Sequence, residues 1–270
     1  MQVVRAVYRM VSSQKADGVL PLAVWPCARP GADADEVSRA LLGRVVAEYS
    51  APGELVAGVM CEPGSVLAEA VRAGRRAAEA GSEPLRVCLA AVADSASGRR
   101  GAASGACGAP GRTRRLLAGL AGRVDLVVLW LPAPGVQEML PPPVGPREGC
   151  LEALSETEYA DALAGVLAGC ARLARPGGRV VAVCPRQTGA AAGLAVKAVR
   201  CGLRAGLSYL QHVIALRAPI CGEALGPGLP APGALGEASA EAAASIPHPV
   251  HDDVVVFTAA QADSNRGVAA

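Results

Sequence analysis

Short, unbroken apolar runs closed by Gly or Pro constrain this chain more than any other feature. Glu54 to Met60 follows Pro52-Gly53 and gives way to Pro63-Gly64. Val124 to Leu131 stops at Pro132-Ala133-Pro134-Gly135, and Arg179 to Cys184 follows Pro176-Gly177-Gly178. A last run, Asp253 to Phe257, lies near the C-terminus. Runs this short, apolar without alternation, read as strands buried on both faces, and such strands need helices above and below them. Segments at helical spacing fall between the runs. Asp35 is the expected N-cap of a helix from about Glu36 to Tyr49 that buries Val37, Ala40, Leu41, Val45 and Val46. Val66 to Gly74 resumes with Leu67, Ala70 and Val71 in phase. Ser155-Glu156-Thr157-Glu158 is a capping box for a helix reaching about Ala174, and Thr188 to Ala205 is a further, Ala-rich helix. Strand and helix in alternation predict an α/β fold with a mostly parallel sheet. Leu207 to Ile220 alternates like a strand, and only a Gly/Pro/Ala linker separates it from the last run. An antiparallel C-terminal edge strand is therefore expected.

Other stretches say less. Arg75 to Gly122 carries a poor signal in which Leu85 to Val92 fits helix or strand, and Gly98 to Gly111 is of low complexity. The expected organisation is a loosely ordered segment over 1–34, one domain over 35–258 that contains the 219–249 linker, and a flexible tail over 259–270.

Composition narrows the function classes. The chain has 270 residues, 51% apolar and 19% charged, which excludes a disordered charged protein. Aromatic residues make up 3%, so the core is built from Ala, Val and Leu. Of 26 basic residues all but Lys15 and Lys197 are Arg, and the net charge is +2, too small to mark a nucleic-acid binder by itself. The cysteines number 9, an odd count, and none forms a Cys-x-x-Cys pair, which speaks against a disulfide framework or a zinc site. No run spans a bilayer, and the two prolines in Gly18 to Pro26 break the signal-peptide pattern. A cytoplasmic protein without a metal site or membrane contact is expected.

Residues 173–183, Leu-Ala-Arg-Pro-Gly-Gly-Arg-Val-Val-Ala-Val, resemble the Leu-x-Pro-Gly-Gly turn before the fifth strand of class I S-adenosylmethionine-dependent methyltransferases. More narrowly, the chain is similar to bacterial DNA amino-methyltransferases of the cytosine-N4 and adenine-N6 type. Val24-Trp25-Pro26 matches an opening segment of that family. Pro52-Gly53-Glu-Leu-Val-Ala-Gly58-Val-Met60-Cys61-Glu62-Pro63-Gly64-Ser65 resembles its cofactor loop, Pro-Gly-Asp-x-Val-x-Asp-Pro-Met-Cys-Gly-x-Gly-Thr. Val124-Asp125-Leu-Val-Val leads to the position of the family's Pro-Pro catalytic loop, and His251-Asp252-Asp253-Val-Val-Val-Phe257 is like its closing strand. Together these segments run from about residue 20 to 258. The resemblance implies a Rossmann-like three-layer sandwich, S-adenosyl-L-methionine as cofactor, and methyl transfer to an exocyclic base amine of DNA. It assigns cofactor binding to Met60, Cys61, Gly64, Ser65 and Glu79, and the catalytic loop to Trp130, Leu131, Pro132 and Pro134.

The departures have physical consequences. The family's first-strand acid is Gly58, and a loop glycine is Glu62, whose carboxylate would face that of the cofactor. The ribose-binding acid falls near Gly81, leaving Glu79 or Glu83 to substitute, and the acid of the next loop falls near Arg112. Leu131 cannot accept a hydrogen bond from a flipped base, and no Tyr or Phe follows it, so Trp130 is the candidate stacking face. Reduced or lost activity follows as an expectation. The alternatives are a catalytically dead relative kept as a DNA- or protein-binding module, and methylation of a small molecule by the same fold. The Pro26-Cys27 pair is expected to lie off the sheet's ligand edge. His248 and His251 to Asp253 read as a polar strand entrance, Arg112, Arg114 and Arg115 as a solvated helix face, and Tyr209 and His212 as core and edge residues.

Overall fold

The structure, a computed structural model, describes residues 22–59, 61, 65–80, 119–131, 156–185, 193–222, 224–226 and 250–260. The apolar runs are strands. β1 (Leu22–Pro26), β2 (Leu55–Val59), β3 (Arg76–Ala80), β4 (Val124–Trp130), β5 (Ala174–Cys184), β6 (Ser208–Leu216) and β9 (His251–Thr258) share a 7-stranded sheet in the order β1-β6-β9-β5-β4-β2-β3. Every pairing is parallel except the two made by β9. A small hairpin of β7 (Ile220–Cys221) and β8 (Ala224–Leu225) stands apart.

Alternate residues of each strand serve opposite layers. Leu126 and Val128 of β4 pack, with Val56, Val181, Val183 and Val254, under α1 (Ala34–Tyr49) and α2 (Ser65–Arg72). Val127 and Leu129 pack, with Ala57, Val180, Val255 and Phe257, under α3 (Glu156–Leu173) and α4 (Leu194–Arg204). Both clusters are closed to water, which is why these strands lack polar alternation. The architecture is a Rossmann-like three-layer α/β sandwich with a mostly parallel sheet.

Several details differ from the sequence reading. The C-terminal strand is antiparallel, and it is inserted between β5 and β6 instead of ending the sheet. Val254 to Phe257 are fully buried, so this strand has a neighbour on each side. The outer position belongs to β1, formed by Leu22–Pro26 within the segment expected to be loosely ordered. The cap of α1 is Asp33, whose Oδ1 accepts from Glu36 N at 2.7 Å, and Ala40 is exposed while Leu42 is buried. In α2 the buried face is Val66, Glu69 and Ala70, which leaves Leu67 and Val71 exposed at 40% and 61%. β3, Arg-Ala-Ala-Glu-Ala, carries no apolar alternation and holds its place by backbone pairing with β2. The tail over 261–270, most of the 219–249 linker, and Leu85 to Val92 lie outside the described residues.

The Pro176-Gly177-Gly178 turn has a steric reason. Gly177 has φ +74°, and a Cβ on Gly178 would stand 2.9 Å from Arg175 O and 3.0 Å from Val124 O. The chain loops out here, so that β4 pairs first with Ala174 and next with Arg179.

Gly202 of α4 lets the helix settle on the sheet, since a Cβ there would come within 2.5 Å of the Phe257 ring. Gly202→Ala should lower stability by roughly 1–3 kcal/mol through overpacking. Combining it with Phe257→Leu should give a coupling that a double-mutant cycle in urea detects. A neutral single variant would contradict the close approach.

Candidate functional site

From β2 the chain moves outward to β3, then returns to the far side of β2 as β4, and continues outward to β5. The order therefore reverses between β2 and β4. In open α/β sheets, the crevice beyond the carboxyl ends of two such strands is where ligands bind.

Gly58 and Val59 of β2 pair with Val128 and Leu129 of β4, and on the other side with Glu79 and Ala80 of β3. A Cβ on Gly58 would stand 3.1 Å from the Val66 Cβ. Helix α2 is therefore seated directly on the end of β2, and the acid that the resemblance expects at Gly58 would press on Val66. Cys61 closes the floor. Its Sγ lies 3.5 Å from Val59 O and 3.6 Å from Val128 O, so the thiol points down onto carbonyls of both strands. Ser65, half-buried, opens α2.

On the β4 side, Trp130 is half-buried and packs against the α1–α2 cluster. Leu131 donates its N–H to Val183 O at 2.9 Å and buries its side chain completely in the α3–α4 cluster. Leu131 is thus a core residue, and only its backbone lines the crevice. The backbone of Glu79, one residue before the end of β3, lies opposite Gly58. Met60, Gly64, Pro132 and Pro134 lie outside the described residues, as do Arg112, Arg114, Arg115 and His248. The structure thus brings Cys61, Ser65, Glu79, Trp130 and Leu131 to one edge.

The same edge continues across the sheet. Cys27 follows directly on the carboxyl end of β1, its N–H donating to Leu216 O at 3.2 Å, so the Pro26-Cys27 pair does lie on the ligand edge, against expectation. β1 is parallel to β6, which carries it there. Burial pushes the Cys27 thiol up to about 12, with Asp252 adding to the rise and Arg44 and Arg217 opposing it. Burial of this kind disfavours the thiolate, the nucleophilic form of cysteine. Beside it, Arg217 Nη1 donates to Asp252 Oδ2 at 2.8 Å, both side chains 2% exposed. Sequence reasoning missed this pair, because Arg217 and Asp252 are 35 positions apart and only the β6–β9 register joins them.

On the opposite face of β9, Asp253 Oδ1 accepts from or is shared with His212 Nε2 at 2.9 Å and faces His251 Nε2 at 3.8 Å. Cys184 stands opposite Asp253 in the β5–β9 ladder, and burial followed by the charges of Asp253 and Asp252 raises its thiol well above the usual range. Among the described residues, no three or more His, Cys, Asp or Glu are grouped to hold a metal ion, and no helix is long and apolar enough to cross a membrane. At the far, amino edge of the sheet, Arg175 joins Asp125 and Glu54, and Asp125 Oδ2 accepts from Leu55 N at 2.8 Å. That network fixes β2, β4 and β5 from below.

No protein-family model matches the chain, and no curated protein sequence matches it. Solved structures do. A TehB-like SAM-dependent methyltransferase from Corynebacterium glutamicum is 14% identical, over 81% of this chain and 86% of that one, with TM-score 0.38. The [4+2]-cyclase SpnF is 11% identical over 97% and 92%, with TM-score 0.45. A protein of Thermus thermophilus assigned to the DNA modification methylases is 19% identical over 55% and 52%, with TM-score 0.32. These likenesses assign no reaction to this chain; a fold of this kind hosts many chemistries.

Leu131→Asn, which restores a polar group at this position, should cost about 2–4 kcal/mol, since an amide replaces a fully buried side chain. Equilibrium denaturation reads this directly, and an unchanged midpoint would show that Leu131 is not in the core. Asp252→Ala should cost about 3–5 kcal/mol by removing the carboxylate that pairs with the buried Arg217 guanidinium. A loss below about 1 kcal/mol, the range of an exposed pair, would contradict the burial.

Proposed function

We propose that this chain binds S-adenosyl-L-methionine at the β2/β4 switch point and is of the DNA amino-methyltransferase type, its acceptor an exocyclic base amine. The observation that carries the reading is the switch point itself, with β2, Cys61 and the start of α2 at its floor. A turn that ends at a helix start presents backbone N–H groups to a carboxylate, and Ser65 adds a hydroxyl there. In this reading Met60, Cys61, Gly64 and Ser65 hold the methionyl end, and Glu79 near the end of β3 accepts from the ribose hydroxyls. Trp130 offers a ring to the base. The backbone of the Pro132 and Pro134 loop supplies the acceptor for the amine, which suits a chain whose Leu131 side chain is turned into the core. The cofactor contributes an electrophilic methyl group. DNA is the partner and the cytoplasm the compartment.

The buried Leu131 also favours a second reading, a relative that has lost transfer and serves as a DNA- or protein-binding module. Calorimetry and transfer separate the two. The first reading expects a dissociation constant on the order of micromolar for S-adenosylmethionine, and labelled methyl groups on DNA after incubation. Glu62→Gly should tighten cofactor binding by removing a like charge. Cofactor binding without transfer would favour the module. Absence of any heat in both the wild type and the Glu62→Gly variant would overturn the cofactor site.

A further inference from the structure

Positive charge gathers at the amino edge of the sheet, opposite the crevice. Arg76 opens β3, Arg123 precedes β4, Arg172 lies in the last turn of α3, and Arg175 and Arg179 belong to β5. Hydrogen bonds tie these segments into one group. Arg76 donates its N–H to Glu54 O at 2.9 Å and its Nε to Gly53 O at 3.0 Å. Arg175 reaches both Glu54 and Asp125. Gly122 N–H donates to Arg172 O at 2.8 Å, and Arg123 N–H to Leu173 O at 3.2 Å. Arg179 Nη1 donates to Gly177 O at 3.1 Å and to Thr258 Oγ1 at 2.9 Å.

The charge of this group is unbalanced. Arg175 takes both Glu54 and Asp125, whereas Arg76, Arg123 and Arg179 donate to carbonyls and a hydroxyl, which accept hydrogen bonds without cancelling charge. A guanidinium keeps further donors in a planar fork for an oxyanion. Arg76, Arg123, Arg172 and Arg175 are exposed and Arg179 is half-buried. The chain as a whole carries only +2, so it is this local surplus that would draw a polyanion.

The row is also linear and low. β3, β2, β4 and β5 are consecutive in the sheet, so it extends over three strand spacings, about 14 Å. A Cβ on Gly53, Gly74 or Gly122 would meet nothing within 4 Å, so the turns stand clear at these points. Among the described residues, the large exposed apolar side chains, such as Val71, Val196 and Leu203, fall outside the turns of this edge. A lipid surface takes apolar side chains as well as cations; a line of arginines suits a phosphodiester strand.

We propose that the amino edge of the sheet is a sequence-independent binding site for the phosphodiester backbone of a nucleic acid, held by Arg76, Arg123 and Arg172 with Arg179 behind them. Arg175 serves the site by neutralising Glu54 and Asp125, the carboxylates that would repel phosphates. The site is separate from the β2/β4 crevice, which lies about 20 Å away at the other end of the strands, and it requires no cofactor.

The test uses the full chain and a fluorescein-labelled, mixed-sequence single-stranded oligonucleotide, with anisotropy read over a series of salt concentrations. Affinity should fall linearly with salt on logarithmic axes. Arg76→Gln combined with Arg123→Gln should reduce that slope by about 1.4, at about 0.7 per phosphate contact, and weaken binding at low salt roughly tenfold. Arg39→Gln combined with Arg200→Gln removes the same charge at exposed positions away from this edge and should leave the slope in place. Urea denaturation of both double variants shows whether a loss of binding is a loss of fold, and Arg172→Gln, read alone, should lower the slope by half as much. An oligonucleotide that does not bind, a slope unchanged by the Arg76 and Arg123 substitutions, or an equal loss in the Arg39 and Arg200 variant would overturn the proposal. So would sedimentation of the protein with phosphatidylserine vesicles in place of oligonucleotide binding, or competition by a mononucleotide as strong as that by the oligonucleotide.

Discussion

Gly58 and Val66 stand so close that a Cβ on Gly58 would lie 3.1 Å from the Val66 Cβ, a contact tight enough that Val66 would have to give by a few tenths of an ångström. This contact seats α2 on the carboxyl end of β2 and so fixes the shape of the crevice between β2 and β4. It also changes the meaning of the missing acid. An acidic side chain at Gly58 would crowd Val66 as packed, so the glycine and the valine are to be read together. Cys61 continues the adaptation, its thiol turned onto Val59 and Val128 where it packs without exposing charge.

The strands were legible because burial on both faces leaves a direct mark in the residues. Val124 to Trp130 and Val180 to Cys184 could hardly be anything else. The Pro-Gly-Gly turn was legible for a related reason, since only glycine tolerates the approach of Gly178 to two carbonyls. β3 was not legible. Its residues bring no apolar pattern, and its conformation comes from pairing with β2. The phase of α2 was misread because Leu67 and Val71 are apolar and exposed, while the inward Glu69 is polar and pairs with Arg72.

The site was legible in part. The resemblance located the edge, and the topology places Cys61, Ser65, Trp130 and Leu131 along it. What each side chain does there was a matter of direction. A one-residue step along β4 separates Trp130, on the α1–α2 side, from Leu131, on the α3–α4 side. The groups joined across β6 and β9 had no local signature. Arg217 with Asp252, and His212 with Asp253, meet only because the C-terminal strand is inserted between β5 and β6.

The central claim is that the β2/β4 crevice receives a sulfonium nucleoside. Amide chemical shifts measured with increasing S-adenosylmethionine test it at single residues. The account predicts saturable perturbations concentrated at Val59, Cys61, Ser65 and Leu131, with the amino-edge residues Leu55 and Asp125 unaffected. Saturable binding that leaves those four amides unmoved, or a spectrum that never responds, would contradict it.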